Sequence, residues 1–259
     1  HHRNASLMLA NGKAEDALHI YNALGNIVYL PDEARARTSL IKAWGESWRA
    51  GNDALILSHR NVDVEALNML ARTELKSQGA LQNVFDITSS KGCKSFALGD
   101  KIICLEGDYE TGLRNGSTGF ITDYQSKTGV LTIETDSGSI VEFSTKRYNA
   151  IDYGYAQTIH KSQGKTVDQT FVYASKTMDA QLTYVALTRH RDDLRVYANL
   201  TDFGDREGFS TALSRDRQKD VTFLHRNTQD YGDALRSFME RRDIGTDQDW
   251  RCALKVIVS

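Results

Sequence analysis

The chain has 259 residues, of which 40% are hydrophobic and 25% are charged. This composition is ordinary for a globular protein and excludes a largely disordered chain, and no apolar run approaches the ~20 residues that cross a bilayer. The formal net charge is −2, so any surface for nucleic acid must be local rather than a property of the whole chain.

The first third of the chain predicts alternating helices and strands. Residues 4–24 place apolar side chains at helical spacing, and residues 26–30 predict a short buried strand. A helix is predicted over residues 31–49, because proline and acidic residues suit a first helical turn. Residues 54–57 form an apolar run typical of a parallel strand, and a helix is predicted over residues 62–76. This order predicts a doubly wound α/β sheet.

The pattern changes between Gln78 and Asn149. Short β-like runs alternate there with turns, and Asn115-Gly116 and Asp136-Ser137-Gly138 are hairpin signals. Because no helical period occurs, we expect about sixty residues of small antiparallel barrel inserted into the α/β domain. The β-like runs are residues 101–105, 119–122, 129–133 and 140–143.

The α/β pattern resumes after this insert. Strands are predicted at residues 153–158, 170–174 and 194–198, with a helix over residues 179–187. Beyond Asn199 the composition is charged, and a further helix is predicted at about residues 231–242.

A polar cluster, His160-Lys161-Ser162-Gln163-Gly164, follows the predicted strand at residues 153–158. Backbone amides at a helix start, together with lysine and serine side chains, can bind an anion. Ligands of open α/β sheets also bind outside the carboxyl ends of the strands. The alternative is a solvated turn followed by a helix cap.

The adjacent Gly164-Lys165-Thr166 resembles the end of a Walker A motif, G-x-x-x-x-G-K-[ST]. The first glycine of that pattern would occupy position 159, which is Ile159. A Walker B strand is also missing, because Asp32-Glu33 follows a proline and opens a helix. The sequence therefore predicts no intact ATP site on this chain.

Two arginines follow predicted core elements. Arg189 comes two residues after the helix at residues 179–187, where it could reach a phosphoryl group held by a neighbouring domain, as an arginine finger does. A surface salt bridge is the alternative for Arg189, and the same two interpretations apply to Arg60. The histidines and the three cysteines, Cys93, Cys104 and Cys252, lack metal-ligand spacing, so we predict no metal site and no disulfide framework.

Three aromatic residues of the insert, Tyr109, Phe120 and Tyr124, could stack on single-stranded bases, at ~1–3 kcal/mol per base. The alternative is that they fill the barrel. The nearby Asn115-Gly116-x-x-Gly119 is consistent with turn chemistry alone.

Taken in order, these motifs resemble the second motor domain of superfamily 1 DNA helicases of the RecD-like kind. The resemblance is closest to the helicase part of conjugative relaxase–helicases of the Ti-plasmid type (TraA-like), and it covers about residues 50–200. Residues 54–60 resemble motif IV, residues 155–164 motif V and residues 184–189 motif VI. Residues 96–102 with residues 115–119 resemble the insert that precedes motif V in such enzymes.

This resemblance implies a RecA-like parallel sheet flanked by helices, with an inserted small SH3-like antiparallel β-barrel. It implies that residues 1–30 end, or lead out of, a first motor domain. Residues 31–84 and 151–200 would form the two parts of the second RecA-like domain, and residues 85–150 the barrel. Residues 201–259 would be a charged, partly helical extension.

The resemblance also implies site roles. Arg189 would be the catalytic arginine finger on the γ-phosphoryl group, and Gln163 would couple DNA contact to the nucleotide cleft. Arg60 and Gly164 would join Arg189 in binding the nucleotide. A glutamate that holds the ribose in many relatives is replaced here by Thr166, which puts a ribose contact in doubt. The residues expected to face single-stranded DNA are Thr158, His160, Lys161 and Ser162.

The implied cofactor is ATP with Mg²⁺, held mainly by a first motor domain that carries Walker A and B motifs. The implied partners are single-stranded DNA, that first motor domain, and a relaxase domain where one is fused upstream. The expected activity is ATP-dependent unwinding for plasmid transfer in the bacterial cytoplasm, with this chain inactive alone. Two alternatives are a non-catalytic single-stranded nucleic-acid-binding module and a nucleotide-binding enzyme built on Gly164-Lys165-Thr166.

Overall fold

Two five-stranded sheets, one parallel and one antiparallel, organise residues 2–216, the part of the chain that the computed structural model describes. The predicted helix at about residues 231–242 lies outside these residues. The helices are α1 (His2–Ala10), α2 (Ala14–Ala23), α3 (Glu33–Arg49), α4 (Asn61–Ser77), α5 (Ala180–Leu187), α6 (Leu200–Phe203) and α7 (Arg206–Ser214). The strands are β1 (Ile27–Leu30), β2 (Ala54–Ser58), β3 (Gln82–Ser89), β4 (Gly92–Leu98), β5 (Lys101–Cys104), β6 (Thr118–Gln125), β7 (Val130–Thr135), β8 (Ile140–Ser144), β9 (Ile151–Tyr153), β10 (Ala156–Thr158), β11 (Val167–Tyr173) and β12 (His190–Asn199).

The parallel sheet has the strand order β1-β12-β11-β2-β10. Strand β2 lies inside this sheet, between β11 and β10, and helices cover both faces of the sheet. All five residues of β2 are therefore buried. Ile56 packs with α3 and α4 on one face, whereas Leu57 packs with α1, α2, α5 and α7 on the other. The predicted fold class, a parallel sheet flanked by helices, is confirmed.

Helix α3 shows how local sequence sets these elements. Asp32 caps the helix, because its carboxylate accepts a hydrogen bond of 2.8 Å from the backbone N–H of Arg35. An apolar stripe that includes Leu40 and Trp44 then faces the sheet. The indole N–H of Trp44 also donates to the carbonyl of Ala54 at 3.3 Å, which ties the helix to the start of β2.

Residues 2–30 are built into this same domain. Strand β1 pairs in parallel with β12, with Ile27 opposite Val196. Tyr21 and Leu18 of α2 are buried in the core on the α5 face of the sheet. Strand pairing and core packing thus join residues 2–30 to the five-stranded parallel sheet. Their assignment as the end of, or the connection from, a first motor domain stays a prediction.

The insert consists of an antiparallel sheet, ordered β8-β7-β6-β5-β9, and a separate ribbon of β3 and β4. The four β-like runs identified in the sequence all form strands. The ribbon was not predicted, because few of its side chains, such as Ile87 and Phe96, are buried. Among the described strands the two edges, β8 and β9, do not pair with each other. An SH3-like barrel thus stays a prediction.

The strand predicted at residues 153–158 is two strands in two different sheets. β9 pairs with β5 in the insert, whereas β10 pairs with β2 in the parallel sheet. Gly154 lies between them, and a Cβ atom there would meet the backbone carbon of Ile102 at 2.6 Å. The chain can therefore pass from one sheet to the other only because residue 154 has no side chain.

A buried polar cluster fixes the insert to the parallel sheet. The Asp100 carboxylate accepts hydrogen bonds from Arg72 Nε at 3.0 Å and from the Tyr155 hydroxyl at 2.5 Å. It also accepts from the backbone N–H of Ala97 at 2.7 Å. Burial and the neighbouring Asp100 raise the pKa of Tyr155, which keeps its hydroxyl a donor. The cluster joins α4, the insert and the residue that precedes β10.

Two kinds of feature are absent from the described part of the chain. Within residues 2–216, no helix is both long and apolar enough to cross a membrane. In the same residues, no group of three or more histidine, cysteine, aspartate or glutamate side chains is placed to hold a metal ion.

Replacing Arg72 by methionine should lower the free energy of unfolding by about 3 kcal/mol or more, because it leaves the buried Asp100 charge without its partner. Urea denaturation of the whole chain measures this loss. The matched control is Arg35→Met, since the ion pair of Arg35 with Asp32 is exposed on both sides and is worth less than about 1 kcal/mol. Equal losses in the two variants would contradict the anchoring role.

Candidate functional site at the two ends of the parallel strands

The carboxyl ends of three neighbouring strands lie side by side. Ser58 pairs in register with Thr158 and with Tyr173, so the residues that follow each strand are brought together. The rings of His59 and His160 lie 6.0 Å apart. His59 Nδ1 is also hydrogen-bonded to the Thr177 hydroxyl at 2.8 Å. This end of the sheet therefore carries an exposed polar surface formed by three separate loops.

The segment from Ile159 to Thr166 runs from this carboxyl end to the amino end of β11. Ile159 is fully buried and anchors the segment, and a single 3₁₀ turn, His160–Ser162, follows it. His160 and Lys161 of this turn are exposed. Gly164 has a φ of +86°, a left-handed conformation that glycine adopts without steric cost. We call residues 159–166 the crossing segment.

Ser162 does not lie on the exposed surface of the crossing segment. Its side chain is fully buried, and its hydroxyl donates to the carbonyl of Ile159 at 2.7 Å. The expectation that Ser162 faces DNA is corrected by this burial. Its hydroxyl holds the turn instead, and the exposed residues of the predicted DNA-facing set are His160 and Lys161, with Thr158 half-buried beside them.

Arg189 lies at the opposite, amino end of the sheet. Its guanidinium donates to the carbonyl of Val185 at 2.9 Å, to the carbonyl of Lys165 at 3.4 Å and to the Thr188 hydroxyl at 3.1 Å. Its own carbonyl accepts from the backbone N–H of Val167 at 3.0 Å. No carboxylate of the described residues forms an ion pair with Arg189, so its charge is not neutralised there.

The crossing segment contacts the Arg189 guanidinium through the carbonyl of Lys165, one residue after Gly164, whereas Arg60 lies at the other end of the sheet. Arg60 precedes the first residue of α4, at the carboxyl end of the sheet, and its guanidinium donates to the Asp63 carboxylate in two bonds of 2.7 and 2.9 Å. This pairing raises the pKa of Arg60, and Asp63 is itself fully buried. The length of β11 separates the two arginines, a rise of about 20 Å for seven residues. The two arginines therefore lie at opposite ends of the sheet, and a nucleotide site shared by both stays a prediction.

A cleft with a volume of about 660 Å³ separates the amino end of the parallel sheet from the insert. Lys165 spans it, donating from Nζ to the Thr118 hydroxyl at 3.1 Å. Burial lowers the pKa of Lys165. The side-chain oxygen Oε1 of Gln157, a residue that also lines the cleft, is buried and has no hydrogen-bond partner among the described residues. Local sequence patterns did not predict this cleft, because the residues that line it are spread along the chain from Asp53 to Arg191.

The three aromatic residues proposed for stacking have different positions. Phe120 packs against Trp48, with ring centroids 5.4 Å apart. Tyr124 stacks on Phe85 at 4.2 Å. Only Tyr109 of these three is fully exposed. Two of the three rings therefore fill space in the insert, as the alternative interpretation expected.

Comparison with known proteins gives a consistent set of relatives. Residues 90–198 match the family described as the viral superfamily 1 RNA helicase core domain. Over 243 residues the chain is 38% identical to the conjugal transfer protein TraA of Rhizobium radiobacter, a match covering 93% of this chain and 22% of TraA. The RecBCD enzyme subunit RecD of Mycolicibacterium smegmatis is 32% identical over 106 residues, which are 39% of this chain and 18% of RecD.

A solved structure shares the fold. The crystal structure of Bacteroides Pif1 bound to ssDNA matches with a TM-score of 0.55 and 16% identity, covering 88% of this chain and 54% of Pif1. This likeness shows the fold, and the sequence matches confirm the resemblance to RecD-like and TraA-like superfamily 1 helicases. The chain spans only about a fifth, 22%, of the length of the TraA relative.

The Ser162→Ala change should lower the free energy of unfolding by about 1 kcal/mol, because the Ile159 carbonyl loses a buried hydrogen bond. Thermal and urea unfolding of the chain measure this loss. The neighbouring Lys161→Ala change should stay within about 0.5 kcal/mol of the unsubstituted chain, since Lys161 is exposed. A larger loss of stability in Lys161→Ala than in Ser162→Ala would contradict the burial of Ser162.

Proposed function

We propose that this chain, a superfamily 1 helicase domain of the kind found in TraA conjugal transfer proteins, is the second motor domain of a larger ATP-dependent DNA helicase. One observation carries the proposal. A single crossing segment presents exposed His160 and Lys161 at one end of the sheet and contacts Arg189 at the other. A motor must join nucleotide chemistry to movement on DNA, and this segment reaches both places.

On the nucleotide side, Arg189 is the catalytic residue. Its guanidinium is held at fixed geometry by three acceptors yet lacks a carboxylate partner among the described residues. A charge held in this way can stabilise the negative charge that develops on a γ-phosphoryl group in the transition state. The adjacent Gly164 would let the backbone approach the nucleotide, and Gln163 would couple the two sides.

ATP with Mg²⁺ would be held mainly by a first motor domain with its own Walker motifs, because Ile159 breaks the Walker A pattern here. Bound Mg²⁺ would neutralise part of the phosphate charge. In this arrangement the nucleotide lies between the first motor domain and this chain, and Arg189 approaches it from this chain. Closure on ATP and opening after hydrolysis would then move one domain relative to the other.

On the DNA side, Thr158, His160 and Lys161 would contact the backbone of single-stranded DNA. Contacts of this kind are tolerant of sequence and sensitive to salt. His59 belongs to the same surface, since its ring lies 6.0 Å from that of His160. Arg60 shares this end of the sheet, but its guanidinium is committed to Asp63.

The wider setting follows from the relatives. Service in plasmid conjugation, a relaxase domain elsewhere in the same protein, an SH3-like character of the insert and a bacterial cytoplasmic location are all part of this proposal. A separate binding module centred on the insert is less well supported, because Phe120 and Tyr124 are already packed against Trp48 and Phe85.

In a longer protein that includes the first motor domain, Arg189→Ala should abolish unwinding and lower the ATP turnover number by about a thousandfold, as loss of an arginine finger does. Affinity for single-stranded DNA should change less than about twofold, because Arg189 lies at the opposite end of β11 from the DNA surface. Strand-displacement and filter-binding assays measure the two effects. Surviving unwinding would show that Arg189 is not the finger.

This chain alone should bind single-stranded DNA but hydrolyse no ATP. Lys161→Ala should weaken DNA binding and reduce the slope of log affinity against log salt by about 0.7, the value for one phosphate contact on a single strand. Fluorescence anisotropy across a salt series measures the slope. Lys127→Ala, an exposed lysine of the insert, is the control. DNA-stimulated ATP hydrolysis by the chain alone, or an unchanged slope, would contradict the assignment.

A further inference from the structure

Lys165 is contacted by two parts of the fold that are remote in sequence. Its side chain crosses the cleft to the insert, and its backbone lies against Arg189. As part of the broken Walker A pattern it has no phosphate-binding role in the site described above. Its position is therefore unexplained by either the DNA surface or the nucleotide side.

The side chain of Lys165 ends in a polar cluster of the insert. Its ammonium donates to the Thr118 hydroxyl at 3.1 Å, and that hydroxyl in turn donates to the Asp136 carboxylate. The Lys101 ammonium lies 3.7 Å from the same carboxylate. Thr118 and Lys101 are both more than nine-tenths buried. The ammonium of Lys165 is thus hydrogen-bonded to Thr118, the first residue of β6.

The backbone of Lys165 is hydrogen-bonded to Ser162 and to Arg189. Its N–H donates to the Ser162 carbonyl at 2.9 Å, which closes the turn that contains Gly164. Its carbonyl accepts from Arg189 Nη1 at 3.4 Å. Two residues later the N–H of Val167 donates to the carbonyl of Arg189. A displacement of residue 165 would therefore remove one of the three acceptors of the Arg189 guanidinium and leave those of Val185 and Thr188.

The insert and the amino end of the parallel sheet face each other across the cleft. Besides Lys165, the insert is held by the buried Asp100, which bonds to Arg72 and Tyr155, and by the packing of Phe120 against Trp48 of α3. Asp100 is followed directly by Lys101, whose ammonium faces Asp136. A rotation of the insert about Asp100 would open or close the 660 Å³ cleft and would pull on the Lys165 ammonium.

We propose that Lys165 is a positioning residue that couples the position of the insert to the position of Arg189. The inference rests on the proposed function and deepens it, because it states how the insert regulates the finger. When Thr118 of the insert is bonded to the Lys165 ammonium, the Lys165 carbonyl holds the Arg189 guanidinium in place. When the insert rotates away, this carbonyl shifts and the guanidinium loses one of its three acceptors.

The test compares variants of the longer protein that contains the first motor domain. Lys165→Ala should lower the DNA-stimulated kcat for ATP by about tenfold, with the KM for ATP and the Kd for single-stranded DNA within about twofold of the unsubstituted values. Thr118→Val, which removes the other end of the contact, should give the same loss. The double variant should be no worse than either single variant, because both break one interaction.

Lys165→Arg keeps a cationic donor of similar reach and should restore kcat to within about threefold, a rescue that a merely destabilised protein would not show. Lys127→Ala, on another exposed turn of the insert, should leave kcat unchanged. Unfolding temperatures of all variants, measured in parallel, separate loss of structure from loss of coupling.

The outcomes distinguish the two proposals. An active unsubstituted protein with an unchanged Lys165→Ala variant would overturn the coupling role and leave the proposed function intact. Additive losses in the double variant, or a rise in KM and Kd together with the fall in kcat, would also overturn coupling. An unsubstituted protein that hydrolyses no ATP on DNA would overturn the proposed function, and this inference with it.

Discussion

The structure depends on one buried charge, the carboxylate of Asp100. It is fully enclosed and accepts hydrogen bonds from Arg72, from the Tyr155 hydroxyl and from the backbone of Ala97. A buried carboxylate is tolerated only when such donors surround it, and the arrangement fixes where each donor must lie. Since Tyr155 directly precedes β10, the same contacts that hold the insert also fix the strand that leads into the crossing segment.

From that strand onward, the geometry of a parallel sheet separates two kinds of chemistry. Side chains that follow β2, β10 and β11 meet at the carboxyl end, whereas the residues that precede β11 and β12 meet at the amino end. The crossing segment is the connection between them. This explains why Arg60 and Arg189, each at the end of a core element, lie at opposite ends of the sheet, and why Lys161 and Lys165 face different surroundings only four residues apart.

Much of the fold was predictable because its causes are local. Continuous apolar runs such as residues 54–57 predicted buried parallel strands, and Pro31 with the acidic residues that follow it predicted α3. Predictions failed where the cause is non-local. The stretch at residues 153–158 was predicted as one strand and gives no sign that Gly154 divides it between two sheets, because the reason is the close approach of Ile102 from another strand. The pairing of β1 with β12 likewise joins residues more than one hundred and sixty positions apart.

The site divides in the same way. By itself the sequence determined which residue types are available, including Arg189 and the His160-Lys161 pair, and that the Walker A pattern is broken at Ile159. Only the tertiary structure decided which of these side chains reach the surface and which neighbours they have. The Ser162 hydroxyl is buried against the Ile159 carbonyl, and the Arg60 guanidinium is paired with Asp63. The Lys165 ammonium bonds to Thr118 of the insert. The physical reason is that exposure and charge pairing are set by packing between distant segments, which local patterns of residues do not encode.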